Sequence, residues 1–250
     1  MIPSTSLEKP VSYPVPWDLV FGLTNHIRRG TQRDLHDFTR QVVARMSPGP
    51  RYEGIEHLPE SPRFVLVANH YQRKGLWILH TAAAITQGIA RRYPSIADPP
   101  TRWMVTANWP PIKLGNWTLA SPGDVLLPRV ANALHCYPVT FAGANPAFTA
   151  RTIRRILSEA ASELQCPLGI FPEGVAGMAG EWHPPLPGVG RLITQLAKRG
   201  LPVVPALVTE AEGGLLVRFG PVINTDEVAR ASGDAAQMAL DRVRELERIR

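Results

Sequence analysis

Arg63-Phe64-Val65-Leu66-Val67-Ala68-Asn69-His70 is an apolar run that ends abruptly in two polar residues. Phe64 to Val67 are bulky or β-branched and show no polar alternation, the pattern of a strand buried on both faces in the sheet of an α/β protein. The chain continues through Tyr71, Gln72, Arg73, Lys74 and Gly75, then turns helical from Leu76 to Ala90. Strand, polar turn, helix is the arrangement in which open α/β sheets hold ligands, at the carboxyl ends of their strands. Asn69 and His70 therefore stand at a candidate site.

A second stretch repeats the geometry. Pro167 to Phe171 is another short apolar run, and it ends in Pro172, Glu173 and Gly174. A carboxylate stands here where the histidine stood. If the two strands are neighbours, His70 and Glu173 meet on one sheet edge, and pairs of titratable groups in a cleft are candidate acid–base machinery.

Those two runs, with Leu201 to Leu207 (Leu-Pro-Val-Val-Pro-Ala-Leu), resemble the lysophospholipid acyltransferase superfamily, the 1-acylglycerol-3-phosphate acyltransferases and their relatives. That family shows Asn-His-x4-Asp at a strand end, then Phe-Pro-Glu-Gly, then a Val-Pro-x-Val-Pro strand. Here Asn69-His70, Phe171-Pro172-Glu173-Gly174 and Pro202 to Pro205 follow in that order, within roughly residues 50 to 225. The resemblance implies one α/β domain, with a mostly parallel or mixed central sheet flanked by helices and preceded by a helical segment. The expected division is an extended arm over 1–16, a helical segment over 17–50 and the α/β domain over 51–250.

The resemblance also implies transfer of a fatty acyl group from acyl-CoA or acyl carrier protein to a hydroxyl of a lipid-like acceptor, with no further cofactor. His70 is then the general base, suited to this near neutrality by a reference pKa of about 6.5. Glu173 is its catalytic partner, and Asn69, Arg73, Lys74, Phe171, Pro172 and Gly174 contact substrate. The sequence departs from the family at Gly75, where the Asp is expected, and at Val175, Ala176 and Gly177, where Thr-Arg-Ser is usual. The strand from Tyr137 to Phe141 runs into Ala142 and Gly143 instead of an Asp-Arg pair. Glu173, Asp98 and Asp124 are the available stand-ins for the lost Asp, with Glu173 favoured. Arg151 is a candidate for the lost arginine, and His183 for acceptor contact. The rival reading is a member that binds acyl chains or lipid without turnover.

Composition bounds the rest. The 250 residues, 44% hydrophobic and 19% charged, suit one folded domain. A formal charge of +6, carried mostly by arginine, suits an anionic partner such as a membrane or a nucleotide-like donor. No basic-aromatic recognition module points to nucleic acid. Cys136 and Cys166 read as buried thiols rather than a disulfide. No secretory leader pattern opens the chain, and no apolar run approaches the ~20 residues that span a bilayer. The expected location is peripheral, on the cytoplasmic membrane face. The phosphate-loop, dinucleotide, Gly-x-Ser-x-Gly and zinc-spacing patterns are all absent, so no metal is expected.

Several segments read two ways. Trp17 to Met46 is helical, amphipathic and basic, with Gly30 separating two helices; its apolar face either packs on the domain or lies in a membrane interface. Asn108 to Trp117 reads as a long loop whose Trp109 and Trp117 either line an acyl channel or cap the core. Ala147 to Leu164 is the clearest amphipathic helix. His57 and His80 read as ordinary structural histidines.

Overall fold

The computed structural model describes residues 12–94, 101–108, 112–114, 117–119, 123–140, 145–162, 164–178 and 181–249. Two helices, α1 (Trp17–Arg29) and α2 (Leu35–Ala44), come first, separated by Gly30 at φ 63°. The order then runs β1 (Arg51–Glu53), β2 (Val65–Ala68), α3 (Ile78–Arg92), β3 (Arg102–Thr106), β4 (Ile112–Leu114), β5 (Trp117–Leu119) and α4 (Gly123–Ala133). It continues with β6 (Tyr137–Val139), α5 (Pro146–Ser162), β7 (Leu168–Ile170), α6 (Val189–Ala197), β8 (Val203–Ala211), β9 (Gly214–Phe219), α7 (Thr225–Ala231) and α8 (Ala235–Glu245).

Seven strands form one mixed sheet in the order β1-β9-β8-β2-β7-β3-β6, and only the β8–β9 pair is antiparallel. The uninterrupted apolar run of β2 has its reason in that order. The strand is central, and Val65 and Val67 enter one core cluster while Phe64, Leu66 and Ala68 enter the other. Helices α5, α6 and α8 pack with the first cluster, and α3 with the second. A third cluster joins Leu19 and Leu23 of α1 to Leu35, Phe38 and Val42 of α2 and to Ala83 of α3.

The stretch expected to be a long loop instead contains a small antiparallel hairpin, with Ile112 opposite Leu119 and Leu114 opposite Trp117. Cross-strand pairing satisfies backbone groups locally, and the intervening Pro and Gly residues hide that pattern in the sequence. Trp109 and Asp98 lie outside the described residues, as does the side chain of Trp117.

Candidate active site

The register of β2 on β7 brings the two motifs together. Val65, Leu66 and Val67 pair with Leu168, Gly169 and Ile170 in parallel, and three residues past the last couple His70 stands beside Glu173. Glu173 is 2% exposed. One carboxylate oxygen accepts the backbone N–H of His70 at 3.3 Å, and the other accepts that of His183 at 3.0 Å. Burial pushes the Glu173 pKa up, and these two N–H donors oppose the rise. Glu173, the expected stand-in for the group that orients the His70 ring, bonds the His70 backbone instead, because the parallel register sets it beside the main chain of the neighbouring strand end.

The imidazole of His70 meets different surroundings. Its Nδ1 is buried with no hydrogen-bond partner among the described residues. The ring stands edge-on to Phe171 at 5.2 Å between centroids, and Phe171 stacks on Trp103 at 4.7 Å and 10°. Trp103 is anchored by its Nε1–H, which donates to the Thr86 hydroxyl at 3.0 Å. An ideal Cβ on Gly169 would lie 2.4 Å from the Trp103 ring, so glycine there lets the indole lie flat on the sheet. Burial holds the His70 pKa below its ordinary value, and nearby His183 adds to the depression.

The loop after His70 is tied on three sides. On the β8 side, Asn69 donates to the Val208 carbonyl at 2.9 Å and accepts the Val208 N–H at 2.8 Å. Further along, Tyr71 Oη and Arg73 Nε each donate to Glu210 at 2.7 Å, and a second Arg73 nitrogen reaches its other oxygen. On the β7 side, the Gly177 N–H donates to the His70 carbonyl at 2.9 Å. From the amino-terminal side, the Tyr13 N–H donates to the Gly75 carbonyl at 2.7 Å, and Pro14 offers its carbonyl to His80 Nε2 at 3.2 Å.

This last contact explains Gly75. The residue sits at φ 82°, and a Cβ there would lie 2.6 Å from Ser12 Oγ. The arm therefore occupies the space that an aspartate side chain at position 75 would need.

A cavity of ≈ 340 Å³ opens beside His70. Its walls come from α2, α3, β3 and the ends of β6 and β7, with Phe38, Leu79, Ala82, Met104 and Phe171 among the lining residues. Gly174, at φ 63°, also lines it. Among the described lining residues the ionisable side chains are His70 and Cys136, and burial pushes the Cys136 thiol to about 12. A thiol held there stays protonated at neutral pH and serves as apolar wall.

The remaining candidates fall elsewhere. Pro172 is buried, and its carbonyl accepts the Leu186 N–H at 2.8 Å. Lys74 is exposed, and Arg151 is exposed on α5 outside the cavity lining. Asp124 is exposed in the first turn of α4. His57 accompanies the β9 end, its Nδ1 2.9 Å from the Phe219 carbonyl, and both cysteines are buried free thiols. Trp103, Tyr71, Glu210 and Tyr13 escape sequence reasoning. Each acts through a partner distant in the chain, and no local pattern marks such a role.

His70, at the end of β2, faces an apolar cavity, and Glu173, at the end of the parallel neighbour β7, holds the His70 backbone from behind. A family model described as Acyltransferase matches residues 49–209, a span that holds both strand ends and β8, and the chain belongs to that family. The fold is similar to that of the 1-acyl-sn-glycerophosphate (LPA) acyltransferase PlsC from Thermotoga maritima, with a TM-score of 0.56 and 14% identity over 92% of each chain. At that identity the likeness speaks to the fold. A comparison with curated proteins finds no match.

Proposed function

We propose that this acyltransferase moves a fatty acyl group from a thioester, acyl-CoA or acyl carrier protein, to a hydroxyl of a lipid-like acceptor. The observation that carries the reading is His70, a base set in the wall of a cavity with no other charged side chain among its described lining residues. With Nδ1 buried, Nε2 is the ring nitrogen left to meet a substrate. It takes the acceptor's hydroxyl proton as the oxygen attacks the thioester carbonyl. The carbon–sulfur bond then breaks, and the proton passes from His70 to the departing thiolate, leaving an ester and a free thiol. The apolar cavity holds the acyl chain and keeps water from competing for it. Glu173 acts as a positioning residue, tying the His70 and His183 backbones to one buried carboxylate.

Exposed aromatics support work at a membrane surface. Trp17 and Phe21 of α1 are 51% and 63% exposed, and Trp17 packs edge-on to Trp77, itself 43% exposed. Among the described residues no helix is long and apolar enough to cross a membrane. An aromatic, basic helix face suits the interface of an anionic bilayer.

A second reading, acyl-chain or lipid binding without turnover, draws on Gly75 and on the Nδ1 of His70, which has no hydrogen-bond partner among the described residues. Thioester consumption by the purified chain, with both donor types and a range of lipid alcohols, separates the two. Catalysis predicts that His70→Ala lowers turnover by about 10²–10⁴-fold, the usual share of a general base. Lipid binding that persists in both proteins with no thioester consumed by either supports the second reading.

A further inference from the structure

A second cavity, ≈ 540 Å³, adjoins the one that holds His70. The two share Met104, Val139 and Leu186 in their linings, so they meet at those residues as adjoining lobes, one against α2 and α3 and the other against α5 and α6. Ala150, Ile153 and Leu192 line the second lobe, and among its described residues none is charged. On the acyltransferase reading above, the donor's acyl chain takes the lobe at His70, which leaves the other lobe for a second hydrocarbon.

The charges around the recess describe the head of that second molecule. A phosphate brought close to a buried base loses hydration, and cationic side chains ordinarily compensate it. Arg73 lies near His70 in the chain, but its guanidinium is held by Glu210, in an ion pair whose side chains are 13% and 21% exposed. Past Gly174 the chain presents Val175 and Met178, 46% and 58% exposed, with Ala176 between them. Next to Gly174, which lines the cavity, this stretch offers a phosphate no cationic side chain among its described residues.

We infer that the acceptor is a lipid alcohol with one hydrocarbon chain and an uncharged head: the chain fills the second lobe and the hydroxyl faces His70. This rests on the acyltransferase reading above and names its substrate class. Steady-state transfer is measured with monoacylglycerol and with lysophosphatidate of the same chain, on the native protein, Ala150→Trp and Ala176→Arg. Monoacylglycerol is expected to have a kcat/KM at least about 10²-fold higher, since a phosphate would leave two or more charge-assisted hydrogen bonds unmet. Ala150→Trp should raise the acceptor KM about tenfold, a ~1.4 kcal/mol loss of binding, with donor KM unchanged. Ala176→Arg should narrow the preference by improving lysophosphatidate alone.

Equal or better use of lysophosphatidate by the native protein overturns the inference, as does an unchanged acceptor KM in Ala150→Trp. If no acceptor is turned over, the acyltransferase reading fails, and calorimetric binding of the same two lipids decides the inference separately. Saturable monoacylglycerol binding weakened by Ala150→Trp upholds it. Tighter lysophosphatidate binding, or binding of neither lipid, overturns it.

Discussion

At the scale of single residues, His70 carries an unusual combination: a ring nitrogen buried with no hydrogen-bond partner among the described residues, and a neighbouring carboxylate bonded to its backbone. When Nε2 takes up a proton the ring becomes an imidazolium, and the nearby backbone of His70 itself only partly offsets the loss of hydration. Burial thus disfavours the charged form, and the pKa falls below its ordinary value near 6.5. The sign follows from the neutral ring in the fold. As pH drops below about 6.5 the unfolded chain binds this proton first, so stability falls until the lower folded pKa is passed. The acid limb of kcat/KM is therefore expected below pH 6.5, and the imidazole resonances of His70 should titrate there by NMR; a limb above pH 7 would reverse the assignment.

Glu173 has a different test. Glu173→Gln keeps the shape but sets an amide NH2 against one of two backbone N–H donors. It should lose about 1–3 kcal/mol in a urea titration, the cost of an unsatisfied buried donor, and kcat should fall with it. A stability equal to the native protein's would show that the carboxylate's two contacts do not hold the loops.

At the scale of elements, α1 divides its apolar residues. Leu19 and Leu23 are buried against α2 and α3, while Trp17 and Phe21 stand outside. The sequence presents these as rival fates for one helix; the fold realises packing on one face and exposure on the other. Burying a phenylalanine fully in an apolar medium gains about 1.5–3 kcal/mol. Replacing Trp17 and Phe21 with serine should therefore weaken cosedimentation with anionic vesicles at least tenfold, with the melting curve little changed. Retained binding at physiological salt would locate the membrane contact elsewhere. The arm before α1 is likewise more than a lead-in. Tyr13 is buried, and its hydroxyl donates to the Pro48 carbonyl at 2.8 Å.

At the scale of the whole molecule, the recess exists because helices α2 and α3 on one side and the β3–β6–β7 edge of the sheet on the other fail to close on each other. Under the proposed function its volume would set the length of acyl chain taken, in a lining that includes the aromatic stack of Phe171 on Trp103. Ala82, in the second turn of α3, is part of that lining. Ala82→Phe should shift the preferred acyl donor to a shorter chain, read by mass spectrometry of the products from a mixed pool of thioesters. An unaltered product distribution would remove the chain from this lobe.

The strand pattern at Phe64 to Ala68, the break at His70, the matching break at Glu173 and the Pro-punctuated run before Leu207 determined the α/β class and the positions of both motif residues. Each is a local property: uniform apolarity follows from burial on two faces, and a polar stop follows from a strand end. Tertiary structure alone decided which atoms meet. That Glu173 bonds a backbone, that Ser12 fills the space beside Gly75, that Arg73 is held by Glu210 and that Phe171 leans on Trp103 are contacts across tens to more than a hundred residues. Register and packing fix such contacts, and neither leaves a periodic trace in the chain.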